Sequence, residues 1–209
     1  MFRFIIFFLF LSFFSSLAEA HTFTGMVGFY DGISHPVLGI DHFLAMVSVG
    51  VISAQIGGRA IWKIPTTFVC IMLIGGIVGI SFELSHQYNS KDYITMSVEV
   101  AIILSVILLG IAISMEQKIP NKVTIIFIGI FGLFHGIAHG LEMPWAANPI
   151  LFALGFTSGT AILHLFGVAI GYFATQNFFS TLLLRIAGFF ALYTEFICYL
   201  PYSYILIKT

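Results

Sequence analysis

His135 and His139 stand four residues apart, and Glu142 follows three further on, so on a helix these groups share one stripe. A second cluster, His35, Asp41 and His42, lies much earlier in the chain. His35 and His42 are seven positions apart, nearly one face if a helix reaches that far back. Imidazole with carboxylate is ligand chemistry for borderline divalent ions: nickel, cobalt, zinc, copper or iron. Two histidines at i and i+4 can direct two nitrogens at one ion. Carboxylates lower its effective charge or orient an imidazole from behind. Only the neutral imidazole ligates, so binding weakens as pH falls.

Each residue also has a plainer role to be weighed. An HxxxH step alone is often a satisfied core histidine. Glu142 on the same stripe and a second His/Asp cluster at the same depth tip the reading toward function. His35 precedes Pro36 and reads equally as a ligand or as a helix cap. Asp41 and His42 can simply pair with each other, but a buried acid beside a histidine inside a membrane is a functional candidate by default. Glu99 lies two turns into an apolar span and is hard to explain as packing. His164 sits deeper than the others and reads as a transit ligand rather than a hydrogen-bonded packing residue. Glu195 helps to line the interior, with its role open. Glu83 and His86 read as loop-edge residues, and Met46, Met96 and Met143 as packing.

The background to these groups is greasy. Hydrophobic residues make up 59% of the 209 and charged residues 8%, with a mean hydropathy of +1.07. That excludes an ordinary soluble domain and implies a lipid bilayer as partner. The formal net charge is −1 and the eight basic residues are scattered, which leaves no face for nucleic acid. There is no Walker loop, dinucleotide fingerprint or nucleophile elbow, and no prosthetic group is expected. Cys70 and Cys198 fall in apolar spans without CxxC spacing and read as packing.

Residues 1–20 read as a cleavable signal peptide: Arg3, an apolar run from Ile5 to Phe14, then Ala18-Glu19-Ala20. Cleavage leaves His21 as the mature N-terminus, where a flexible end is a simpler reading than a chelate. Residues 21–209 then form a single membrane domain, an all-α polytopic bundle of six transmembrane helices. The spans are Pro36 to Gly57, Ile64 to Phe82, Tyr93 to Met115, Pro120 to about Leu141, Pro149 to Ala174 and Thr181 to Leu200. Each is near the ~20 residues that cross ~30 Å of hydrocarbon. Pro36, Pro120 and Pro149 are placed at starts, and Gly57-Gly58 and Pro201 at ends. Arg59, Lys63, Lys118, Lys122 and Arg185 fall on one face, against Lys91 and Lys208 on the other. The richer face is expected in the cytoplasm, with both mature termini on the outer side of the membrane. The histidines and acids then gather in the outer half. Gly75/Gly79, Gly132/Gly136/Gly140, Gly155/Gly159 and Gly167/Gly171 form GxxxG steps, read as close helix packing.

The string His35-Pro36-Val37-Leu38-Gly39-Ile40-Asp41-His42, continuing through Phe43-Leu44-Ala45-Met46, resembles the HPxxGxDHxLAM signature of the HupE/UreJ nickel permeases. Phe134-His135-Gly136-Ile137-Ala138-His139-Gly140-Leu141-Glu142 resembles that family's FHGxAHGxE segment. Thr160-Ala161-Ile162-Leu163-His164-Leu165 is similar to its span-five histidine region. The resemblance covers nearly the whole chain after residue 20. It implies a secondary transporter of the bacterial inner membrane, its mature termini in the periplasm, for Ni2+, or Co2+ in some members, often associated with urease or hydrogenase maturation. By the same resemblance His35, Asp41, His42, His135, His139 and Glu142 are the metal-handling set. The transporter reading, with no enzymatic activity, competes with an intramembrane zinc-dependent hydrolase acting on a lipid, in which Ser48 or Ser81 would take part. A membrane metal sensor is a third reading, weakened by the lack of a cytoplasmic domain. Protein partners and oligomeric state are not legible.

Overall fold

The computed structural model describes residues 28–84, 88–115, 120–144 and 147–206, without the side chains of 88–93, 192 and 194–206. The expected signal peptide, His21, His86 and the side chains of Glu195 and Cys198 lie outside the described residues. Every described element is helical: α1 Phe29–Leu38, α2 Ile40–Ile56, α3 Ala60–Leu84, α4 Tyr88–Met115, α5 Asn121–Leu141, α6 Pro149–Ala174 and α7 Phe178–Leu206. Four of them (α3 to α6) are long and apolar enough to cross a membrane, and α1 with α2 makes a fifth if the bent pair counts as one span. In α7 the stretch with continuously described side chains, Phe178–Ala191, is apolar but shorter.

Several helix ends lie where local chemistry puts them. Pro149 opens α6 at N1, and the side-chain Oδ1 of Asn148 caps it by accepting from the Ile150 and Leu151 amides. Pro120 is the N-cap of α5. Gly57 and Gly58, at φ +76° and +56°, end α2 in backbone conformations that favour glycine.

Two proline placements differ from expectation. Pro36 does not start the first span; it lies inside α1, and the chain turns by 81° at Gly39 before α2 begins. Pro201 does not end α7, which continues to Leu206. Proline has no backbone N–H to donate, but a helix tolerates it where neighbouring groups satisfy the carbonyl left without a partner. Gly39 closes one helix and opens the next. Its N–H donates to the His35 carbonyl, and its own carbonyl accepts from the Phe43 amide.

Small residues set how the helices pack. A Cβ at Gly136 would lie 2.0 Å from the Met72 carbonyl oxygen, and one at Gly75 would lie 2.2 Å from that of Leu133, so α3 and α5 pack backbone to backbone. On α6, a Cβ at Gly155 would meet the Phe29 carbonyl of α1 at 2.1 Å, and one at Gly167 the Val47 carbonyl of α2 at 2.1 Å. Both halves of the bent pair therefore rest on one continuous helix. In lipid, where apolar burial between helices gains little, this closeness supplies the van der Waals attraction. Farther from these seams, Arg185 of α7 donates from Nε to the Ser114 carbonyl of α4 at 2.7 Å, and the Ser114 hydroxyl donates to the Arg185 carbonyl at 3.1 Å.

The bundle is apolar on its outer surface and buries a group of polar side chains within an otherwise apolar core. Ile77, Ile126, Phe127, Leu154, Ile162, Phe166 and Phe173 point outward. His42, His135, His139, Thr160 and His164 are buried, the inversion that membrane cores show around functional groups. Cys70 corrects one expectation: it lies on the outward face of α3 and is not packed inside.

Candidate metal site

The bend at Gly39 builds the site. In one straight helix, His35 and His42 would be separated by about 10 Å along the axis. The turn brings their ring centroids to 5.5 Å. His139, from the far end of α5, lies 4.9 Å from His35 and 4.9 Å from His42, also centroid to centroid. Each of the three imidazoles offers a nitrogen lying within 4.8 Å of the others. That is close enough for one ion, bound at ~2.0–2.1 Å from each nitrogen, to bridge them with small side-chain adjustments.

The surrounding groups fix ring orientation and tautomer. The Asp41 carboxylate sits 3.0 Å from Nδ1 of His42 and also accepts the His42 amide at 2.8 Å. A carboxylate draws the proton to Nδ1, which leaves the His42 Nε2 lone pair for a ligand. A side chain at Gly39 would crowd this pair, since its Cβ would lie 3.2 Å from Asp41 Oδ1. His139 stacks on Phe156 of α6, with centroids 4.9 Å apart and planes 12° apart. Nε2 of His35 lies 2.7 Å from Oε2 of Glu142. Glu142 is 38% exposed and His35 20%, whereas His42 and His139 are buried, so the cluster opens on the side of the α5 C-terminus. Burial pushes the Glu142 carboxyl up, and the hydrogen bond and charge of His35 pull it further down, below the ordinary carboxylate range.

His135 is beside the triad and not in it. Its ring is 5.2 Å from His42. A carbonyl can only accept, so the 2.9 Å contact with the Phe131 oxygen puts the proton on Nδ1 and leaves Nε2 as a lone-pair donor. His164 shares a neighbour with His135: the Phe68 ring centroid is 5.4 Å from that of His135 and 5.1 Å from that of His164. Glu99 is half-buried on α4, within Coulombic reach of Glu142, Asp41 and His42.

Nε2 of His42, Nε2 of His135 and both ring nitrogens of His139 and His164 are buried without a hydrogen-bond partner. Each unsatisfied buried polar group costs on the order of 1–3 kcal/mol. Several in one place are a reason to look for a ligand rather than a packing role. Borderline transition-metal ions match a set of neutral imidazole lone pairs backed by carboxylates.

Two residues at the site, Phe68 and Phe156, have no signal in the sequence, where they are two of 24 phenylalanines. The two serines of the hydrolase reading gain nothing. Ser81 is exposed, and its hydroxyl donates to the Ile77 carbonyl of its own helix. Ser48 is six residues beyond His42, which turns it about 240° around α2.

The family model described as HupE / UreJ protein matches residues 9–197. Protein HupE of Rhizobium leguminosarum bv. viciae is 39% identical over 155 residues, which cover 74% of this chain and 76% of that protein. No solved structure matches.

Proposed function

Because this chain belongs to the HupE/UreJ family, we propose that it is a secondary transporter of a divalent transition-metal ion, Ni2+ or Co2+, in the bacterial inner membrane. The single observation that carries this reading is the convergence of His35, His42 and His139, from three helices, on one ligand-sized space. Six spans after a cleaved signal peptide would place the exposed Glu142 rim in the periplasm. There Glu142 and Glu99 attract a hydrated cation, the three imidazoles replace part of its water shell, and His135 and His164 offer further nitrogens on the way inward. Several weak sites in series suit transport, because capture must not prevent release. The experiment is uptake of radioactive nickel, cobalt and zinc, in competition, into vesicles containing the purified protein. Saturable nickel or cobalt uptake supports the reading, and its absence refutes it.

Two expected outcomes follow from this chemistry. Asp41→Asn keeps an oxygen acceptor for the His42 ring but removes the charge that makes the imidazole a better donor. Metal affinity is expected to fall about 10–100-fold, as for other partners that orient a ligating histidine, in a metal titration of the purified protein. The second concerns pH. Proton and metal compete for the same nitrogen lone pairs, so a fall in pH protonates the imidazoles and displaces metal. Affinity measured in buffers of decreasing pH is therefore expected to decline steadily. An affinity that holds or rises as the medium becomes acidic contradicts imidazole ligation.

A further inference from the structure

Resting on that transport reading, we propose that Phe68 is an internal gate that separates an outer metal station, the His35/His42/His139 cluster, from an inner one at His164. The two stations differ in depth. His139 stacks on Phe156, and His164 lies eight residues further along α6, about 12 Å at helical rise. Phe68 is fully buried at the depth of His164, and its ring contacts both His135 and His164, each edge to face. The lone nitrogens of both histidines, Nε2 of His135 and both nitrogens of His164, are buried and without partners.

The buried side of α3 around Phe68 is apolar. Met72, one turn along α3, is fully buried, and its sulfur accepts a weak hydrogen bond from the Thr160 hydroxyl at 3.7 Å. Apolar constrictions block ions because a hydrated cation cannot enter without losing water it cannot replace there. A metal on His135 has left most of its water behind, and rotation of one phenyl ring would let it pass to His164. The same ring, when closed, keeps out cations that bind imidazole poorly and stay hydrated.

The test uses the full chain in sealed phosphatidylethanolamine/phosphatidylglycerol vesicles loaded with a divalent-metal indicator dye. Cobalt binding at the outer station is read from its absorption bands, and entry of Co2+ and Mn2+ from the dye. Phe68→Ala is expected to keep outer-station affinity, to raise cobalt entry by about tenfold and to admit manganese, with Phe68→Leu between it and the native protein. His164→Ala is expected to keep outer binding and lose entry. Native entry rates and manganese exclusion in the Phe68 variants, with the outer cobalt bands intact, overturn the gate. So does native cobalt entry in His164→Ala, and this decides the matter even if both Phe68 variants fail to fold. If the native protein shows no His139-dependent cobalt binding, the transport reading falls and the gate with it. If His139→Ala abolishes entry while the Phe68 variants behave as native, only the gate falls.

Discussion

Replacing His139 with alanine is expected to abolish saturable nickel and cobalt uptake and to weaken metal binding by at least about 100-fold, or ~2.7 kcal/mol. The size follows from its place in the cluster. His139 is fully buried and is in ring contact with both His35 and His42, so its loss leaves two imidazoles and a cavity where the third stood. Groups that merely orient a ligand are worth about 10–100-fold in affinity, and a ligand itself should match or exceed the upper end. Cys70→Ala, on the outward face of α3, serves as the comparison and is expected to bind metal as the native chain does. Equal uptake by the His139 variant and the native protein would remove His139 from the site.

The second large effect concerns folding. Gly136→Ala is expected to destabilise the protein by on the order of 1–3 kcal/mol or more, because the added methyl would lie 2.0 Å from the Met72 carbonyl oxygen. Gly129, on the same helix, is the control: a methyl there would lie 3.8 Å from the nearest atom, Thr67 Cγ2. Helix propensity alone favours alanine over glycine by about 1 kcal/mol at both positions. Packing opposes it only at Gly136, so the two variants should shift in opposite directions. Thermal unfolding in detergent, followed by loss of the monodisperse peak, measures both. Similar stabilities for the two variants would mean that α3 and α5 do not meet at this seam.

Much of this was legible in the residues. Pro149 and Asn148 mark the start of α6, and the expected span, Pro149 to Ala174, matches the helix end for end. The glycine steps indicate close packing, and α3 and α5 do pack through them. The two histidine clusters were visible as ligand chemistry, and the pairing of Asp41 with His42 follows from adjacency.

What escaped is specific. The bend at Gly39 depends on how α1 and α2 both settle on α6, a tertiary effect that overrides the helical periodicity through Pro36. Without it, His35 and His42 would be too far apart to share an ion. The HxxxH step suggested that His135 and His139 direct their nitrogens at one point. Four residues of rise separate them by about 6 Å, and other helices supply the nearer partners of His139. His135 instead turns its Nδ1 to the Phe131 carbonyl. Phe68 and Phe156 earn their positions only through the packing of α3 and α6 against α5, which no local pattern announces.

The central claim is that His35, His42 and His139 hold one cation together. X-ray absorption at the nickel or cobalt edge, on the purified protein loaded with one equivalent of metal, tests it most directly. Three imidazole nitrogens at about 2.0–2.1 Å are predicted, falling to two in His139→Ala. A first shell of oxygen alone, or a spectrum unchanged by that substitution, would contradict it.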